Sequence, residues 1–217
     1  MTIHHHLDDS TILAHAAGTL DEAFSVAAAC HVAWCRQCRA AVRRAESLGG
    51  EILTGIEPTN VSDECRATTM GLIVQATVHR FPNAARPVGD LPAPLARLLD
   101  GASLETIKWK AKAPGVAFHD LKLSPSAKGK LRLMRIGAGR SMPEHGHGGE
   151  EITLIISGAY RDHMGLFAKG DVADLDPEIE HKPVVETGEA CICLVATEAA
   201  TRFKSWPARL LQPFIGI

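Results

Sequence analysis

Gly139-Arg140-Ser141-Met142-Pro143-Glu144-His145-Gly146-His147-Gly148-Gly149-Glu150-Glu151 sets two histidines one residue apart and a carboxylate four residues after the second. In an extended chain successive side chains alternate between faces, so His145 and His147 point to the same side. Glu151 opens the next apolar segment, and His181 falls on a later one. Three imidazoles and a carboxylate reaching into one interior make a site for a divalent transition metal. That ligand mixture suits Zn, Mn, Fe, Ni or Cu without choosing among them. Glu150 is the alternative to Glu151, because the alternation with Ile152 and Leu154 leaves open which of the two points inward. The competing reading, a polar turn on the surface, has no use for the full spacing.

Working outward, residues 130–136, 151–157, 171–175, 182–186, 190–197 and 202–205 read as short alternating or apolar strands punctuated by Gly and Pro. Short strands at even spacing predict a small all-β barrel or double-sheet jelly roll over residues 95–217. Cys191 and Cys193 share one face of the fifth of these strands. They are either small core residues or a thiol pair near the metal that oxidants modify. Positions i and i+2 of one strand are poorly placed for a relaxed disulfide.

Residues 81–94 carry Pro82, Pro87, Pro92, Pro94 and Gly89 without periodicity and read as a stiff interdomain linker. Residues 1–80 read as a small all-helical unit. Asp8, Asp9 and Ser10 precede a short helix over 11–17 that Gly18 ends. Thr19-Leu20-Asp21-Glu22 fits a capping box opening a long helix over 21–48, stopped by Gly49-Gly50, and a third helix runs over 62–79.

On that long helix His31, Cys35 and Cys38 stand at i, i+4 and i+7, one face. With His6 as fourth ligand they form a closed tetrahedral His2Cys2 site, the pattern of structural zinc. His5 is the alternative to His6, and His15 reads as a helix-surface residue. The plainer reading makes the cysteines small buried residues and His31 a core histidine. Cys30 and Cys65 read as core. A helical unit this short has a thin core, and structural zinc contributes on the order of 10–16 kcal/mol to folding such units.

The chain of 217 residues has a net charge of −2 and 22% charged residues, which points to neither nucleic acid nor a membrane surface. Its start lacks the basic and apolar regions of a signal peptide, and no apolar run spans a bilayer, so a cytoplasmic location is expected. Six cysteines could suggest disulfides, but without an export signal the C-x-x-C and C-x-C spacings read as metal or redox sites.

Residues 139–158, with His181, resemble the cupin signature G-x5-H-x-H-x3-E-x6-G, in which Gly158 is the last glycine. The second half departs from the pattern: Asp176-Pro177-Glu178-Ile179-Glu180 stands for the usual P-x-G turn and Val185 for the usual Asn. His6 with His31-x3-Cys35-x2-Cys38 is similar to the zinc-binding domain of anti-sigma factors that wrap group IV (ECF, sigma-E-like) sigma factors. Together, over nearly the whole chain outside the linker, the two parts resemble the ChrR-type anti-sigma family. The resemblance implies an all-α zinc-binding domain followed by an all-β cupin (double-stranded β-helix) domain. The first would hold the sigma factor inactive. The second, with zinc at His145, His147, Glu151 and His181, would be needed for release under singlet oxygen or related oxidative stress. It implies no catalysis and no direct contact with nucleic acid or membrane. The rival from another class is a metal-dependent cupin enzyme, a dioxygenase or isomerase with a helical accessory domain. That enzyme would need an open metal position and a substrate pocket.

Overall fold

The computed structural model describes residues 2–75 and 90–199 and the backbone of 202–203. The helices are α1 Asp9–Ala17, α2 Glu22–Trp34, α3 Arg36–Thr54, α4 Asp63–Gln75 and α5 Ala93–Leu98. The strands are β1 Lys110–Ala113, β2 Val116–Asp120, β3 Lys130–Ile136, β4 His145–Gly146, β5 Glu151–Ser157 and β6 Ala159–Asp162. They continue with β7 Gly165–Ala168, β8 Val172–Leu175, β9 Val184–Val185, β10 Cys191–Thr197 and β11 Arg202–Phe203.

The helical segment follows its local signals at the first cap and departs from them afterwards. Gly18, in the left-handed region at φ 70°, closes α1. Asp21, not Thr19, caps α2, its carboxylate accepting from the Ala23 N–H at 3.1 Å. The single helix expected over 21–48 is two helices. Cys35 adopts an extended conformation (φ −88°, ψ 112°), and its Sγ accepts from the Cys38 N–H at 3.4 Å, which starts α3 afresh. Gly49-Gly50 do not stop α3, which runs on to Thr54. An interior glycine costs about 1 kcal/mol, too little to end a helix by itself. Of the third expected helix, α4 accounts for 63–75, and 76–79 lie outside the described residues. So does most of the proline-rich stretch: only 90–94 are described, and α5 begins there, with Pro92 capping it and Pro94 in its first turn, where a missing N–H is harmless.

The larger sheet has the order β1-β2-β3-β10-β5-β8, and a smaller one the order β7-β6-β9; β4 pairs with β11. All pairings are antiparallel. The expected segments 130–136 and 151–157 are β3 and β5, and 190–197 is β10 with one residue fewer. Segment 171–175 starts one residue later as β8, 182–186 shortens to β9, and of 202–205 only β11 is described. The edge hairpin β1–β2 and the hairpin β6–β7 went unread, since both are short and partly polar.

Side-chain alternation divides the sheet into two cores. Ile155, Cys191, Cys193 and Val195 face inward, packing with Tyr160, Phe167 and Val185 of the smaller sheet. Leu133, Ile152, Leu154, Ile156 and Leu194 face outward and share a core with Ala23, Phe24, Ala27 and Ala28 of α2 and with Leu95 of α5. The alanines let α2 lie close on the sheet, and burying Phe24 contributes about 2–3 kcal/mol. Polar contacts secure the seam: Asp21 accepts from the N–H groups of Lys128 and Gly129 at 2.7 and 3.0 Å. Thus β5 is covered on both faces, which explains its unbroken apolar run. The last glycine of the 139–158 motif serves this packing. At Gly158 (φ 74°) a Cβ would stand 2.6 Å from the Ala190 carbonyl oxygen, where β5 crosses to β10. Among the described residues no helix is long and apolar enough to cross a membrane.

Candidate metal centres

Four ligand atoms meet where the N-terminal strap passes the α2–α3 break: one each from His6, His31, Cys35 and Cys38, all within 4.8 Å of one another. His31 Nε2 lies 3.3 Å from Cys38 Sγ, and His6 Nδ1 lies 3.3 and 3.7 Å from the sulfurs of Cys35 and Cys38. A tetrahedral zinc ion with two nitrogen and two sulfur ligands spaces neighbouring ligand atoms roughly 3.3–3.8 Å apart, so the residues fit such an ion. The arrangement is not one helical face. The break at Cys35 turns its sulfur toward His6, and α3 supplies Cys38 from its first turn.

The chemistry of the donors agrees. A carbonyl only accepts, so the 3.0 Å contact between His31 Nδ1 and the Gly170 oxygen places the proton on Nδ1 and leaves Nε2 free for a metal. Burial pushes the His31 pKa down to about 4, which keeps the ring neutral, the ligating form. Burial pushes the Cys38 thiol up to about 11, so its thiolate calls for a bound cation. His5 is elsewhere, its ring stacked on Phe167 at 3.9 Å. His15 is half-buried on α1, away from the cluster, and Cys30 is buried in the core. Cys65, expected in a core, is exposed, because α4 buries none of its residues.

The second cluster lies inside the double sheet. His145, His147 and His181 each direct one ring nitrogen to a common point. A backbone bridge joins His145 to His181, their Nε2 atoms are 3.1 Å apart, and the ring of His147 stands 5.3 and 5.2 Å from the other two. Each Nδ1 is held from behind: His145 by the Pro143 carbonyl at 2.8 Å, His181 by Asp162 at 3.0 Å, and His147 by Glu151 at 3.2 Å. The Nε2 of His147 is buried without a hydrogen-bond partner among the described residues. An orphaned imidazole nitrogen facing two others fits a divalent transition metal. Glu151 is buried while Glu150 is exposed. Its carboxylate lies beside His147 and accepts from the Thr153 hydroxyl at 3.0 Å. Burial disfavours its ionisation, but the hydrogen bond and charge of His147 outweigh this and hold it below the usual carboxylate range. Burial, followed by the neighbouring His181, lowers His145 to about 4.

Cys191 and Cys193 point inward nearby as free thiols, with sulfurs 3.5 Å apart where β10 bulges against β5. Contact with Cys191 and burial raise the Cys193 thiol well above its ordinary value. Sequence reasoning missed the residues behind the ligands: Gly170 behind His31, Asp162 behind His181, and Asp171, which holds the strap. Asp162 lies one residue before His163 and has no ligand spacing, so no local signal marks it.

Fold and sites together define a cupin-like double sheet joined to a helical segment, with a cluster of metal-ligand residues in each. Residues 100–201 match the ChrR cupin-like domain family. The whole chain is 39% identical over 217 residues to the anti-sigma-E factor ChrR of Cereibacter sphaeroides, with all of both proteins aligned. The chain therefore belongs to the ChrR family. It is also similar to the crystal structure of Rhodobacter sphaeroides SigE in complex with the anti-sigma ChrR, at 38% identity and a TM-score of 0.76, covering 90% of this chain and 99% of that one.

Proposed function

We propose that the protein is an anti-sigma factor, a regulator rather than an enzyme, that sequesters a group IV (ECF, sigma-E-like) sigma factor in the cytoplasm. Residues 1–80 act as an all-α zinc-binding docking domain, 81–94 as the linker, and 95–217 as the cupin sensor. The observation that carries this is an apolar surface on the far half of α3 and on α4. Leu48, Ile52, Leu53, Met70, Ile73 and Val74 are all more than half exposed, and α4 buries none of its residues. Apolar helices left in water mark a protein interface. The relative of known structure is seen in complex with SigE, which supports a sigma factor as the occupant.

Zinc held by His6, His31, Cys35 and Cys38 would join the strap, α2 and α3 into one unit. His145, His147 and His181, with Glu151 as the fourth ligand, would hold zinc or another divalent transition metal. Oxidation at these ligands, or at Cys191 and Cys193, under singlet oxygen or a related stress, would then favour the sigma-free arrangement. Release requires a signal that favours that arrangement by several kcal/mol, because a modification shifts an equilibrium only by its differential energy. Neither reading needs direct contact with nucleic acid or membrane.

The test is affinity capture from native cytoplasm, with the full chain as bait beside its Cys35→Ala/Cys38→Ala variant. Recovery of a sigma factor by the parent alone supports the reading. A folded, metal-loaded parent that recovers none overturns it.

A further inference from the structure

Two consecutive residues of the β7–β8 turn reach the N-terminal cluster, one at the ligand His31 and the other at the backbone of His4 and His5, just before the ligand His6. The Gly170 carbonyl accepts from His31 Nδ1 at 3.0 Å. Asp171, 1% exposed, accepts with Oδ1 from the N–H groups of His4 and His5 at 2.6 and 3.0 Å, and with Oδ2 from Ala168 N–H at 2.9 Å. The Val172 N–H returns a bond to the His5 carbonyl at 3.4 Å. His6 follows directly, so the carboxylate fixes the backbone one residue before a ligand that has no helix of its own to position it.

The turn itself is anchored. Gly170 N–H donates to the Ile155 carbonyl at 2.9 Å, and Ile155 N–H donates to the Asp171 carbonyl at 3.0 Å, which ties both residues to the centre of β5. On the strap side, the His5 ring stacks on Phe167 of β7, and Phe167 stacks on Tyr160 at 5.0 Å. The strap is thus held at its backbone and at one side chain, all by the cupin-like domain.

We infer that Gly170 and Asp171 form the outer shell of the N-terminal metal site, so that docking of the cupin-like domain tightens this site's hold on its metal. Asp171 is a positioning residue: it touches no ligand atom and acts through the backbone of His4 and His5. The inference rests on the reading of His6, His31, Cys35 and Cys38 as a metal site. It adds that the second domain completes that site.

The test uses the full chain loaded with cobalt(II). Cobalt bound by Cys35 and Cys38 gives a thiolate-to-metal charge-transfer band, which a cobalt ion held by the His145 cluster lacks, so the band reports the N-terminal site alone. Loss of the band to EDTA is compared for the parent, Asp171→Ala and Asp171→Asn, with total cobalt measured in parallel. In Asp171→Ala the band is expected to be lost 10–100-fold more readily, the usual cost of removing an outer-shell partner, with retention at the other site unchanged. Asp171→Asn keeps a carbonyl oxygen for the two strap N–H groups but sets its NH2 against the Ala168 N–H, and is expected to fall between the parent and Asp171→Ala. His4→Pro removes one strap donor without touching the cupin-like domain. It is expected to shift retention in the same direction, and it carries the test if Asp171→Ala does not fold. Parent-like retention in Asp171→Ala and His4→Pro overturns the inference, as does equal loss of cobalt from both sites. A parent that never develops the band overturns the metal-site reading itself.

Discussion

Asp162 holds His181 in place: its Oδ2 lies 3.0 Å from His181 Nδ1, and both side chains are almost wholly buried. Burial opposes the charge on Asp162, but the His181 hydrogen bond and the Met164 N–H, 2.8 Å from Oδ1, keep its carboxyl below the usual range. With Nδ1 so occupied, Nε2 of His181 is turned toward His145. Asp162→Ala removes this orientation, and the metal affinity of the His145 cluster is expected to fall 10–100-fold while the thiolate site is unaffected. Isothermal titration with zinc, beside a thiolate-specific probe, checks this.

The seam between α2 and the larger sheet is closed by small residues. Ala27 is fully buried there. Ala27→Leu forces the helix off the outer face of β5 and β10 and is expected to cost about 1–3 kcal/mol, as overpacking does. At roughly 2–4 °C per kcal/mol for a chain of this size, calorimetry should show a lower Tm. An unchanged Tm would mean that helix and sheet are not packed in solution as they are here.

Asp21 caps α2 and also binds the 128–129 backbone. The Lys128 N–H, with those of Ala23 and Gly129, holds its carboxyl below the ordinary 3.8. A lowered folded-state pKa stabilises at pH above that of the unfolded chain and is lost as pH falls through the folded value. The parent should therefore lose a contribution below about pH 3.8 that Asp21→Ala never has. At neutral pH the substitution is expected to cost about 1–2 kcal/mol through the lost cap. Urea titrations of both proteins across acid pH measure both effects.

Ile73 and Val74 are 61% and 81% exposed, so charged substitutions there leave the core intact. Ile73→Asp/Val74→Asp is expected to keep the parent Tm and to weaken sigma-factor capture at least tenfold, which corresponds to about 1.4 kcal/mol of interface energy. Capture at parental strength would move the docking surface off α4.

Local pattern alone determined much of this protein. The spacing of His145, His147, Glu151 and Gly158 is legible because a strand has a side-chain period of two and a crossing needs a glycine. The apolar runs of β5 and β10 are legible because these strands are buried on both faces, and β3 is legible because its apolar residues alternate with Lys130 and Arg132. His31, Cys35 and Cys38 are legible as ligands because three metal-binding residue types crowd into eight positions, although the single helical face expected for them is broken at Cys35. Tertiary structure decided the rest. The Ala-rich run around Cys35 contains no local breaker, so helix propensity continues through it. The break exists because the Cys35 sulfur caps a new helix and faces His6. The hairpin of β1 and β2 at the sheet's edge takes its conformation from β3, which pairs with β2. The partners behind the ligands lie far away in the chain: Gly170 is 139 residues from His31. A hydrogen bond closed across that separation leaves no periodicity behind, and only the docking of α2 and the strap on the sheet creates it.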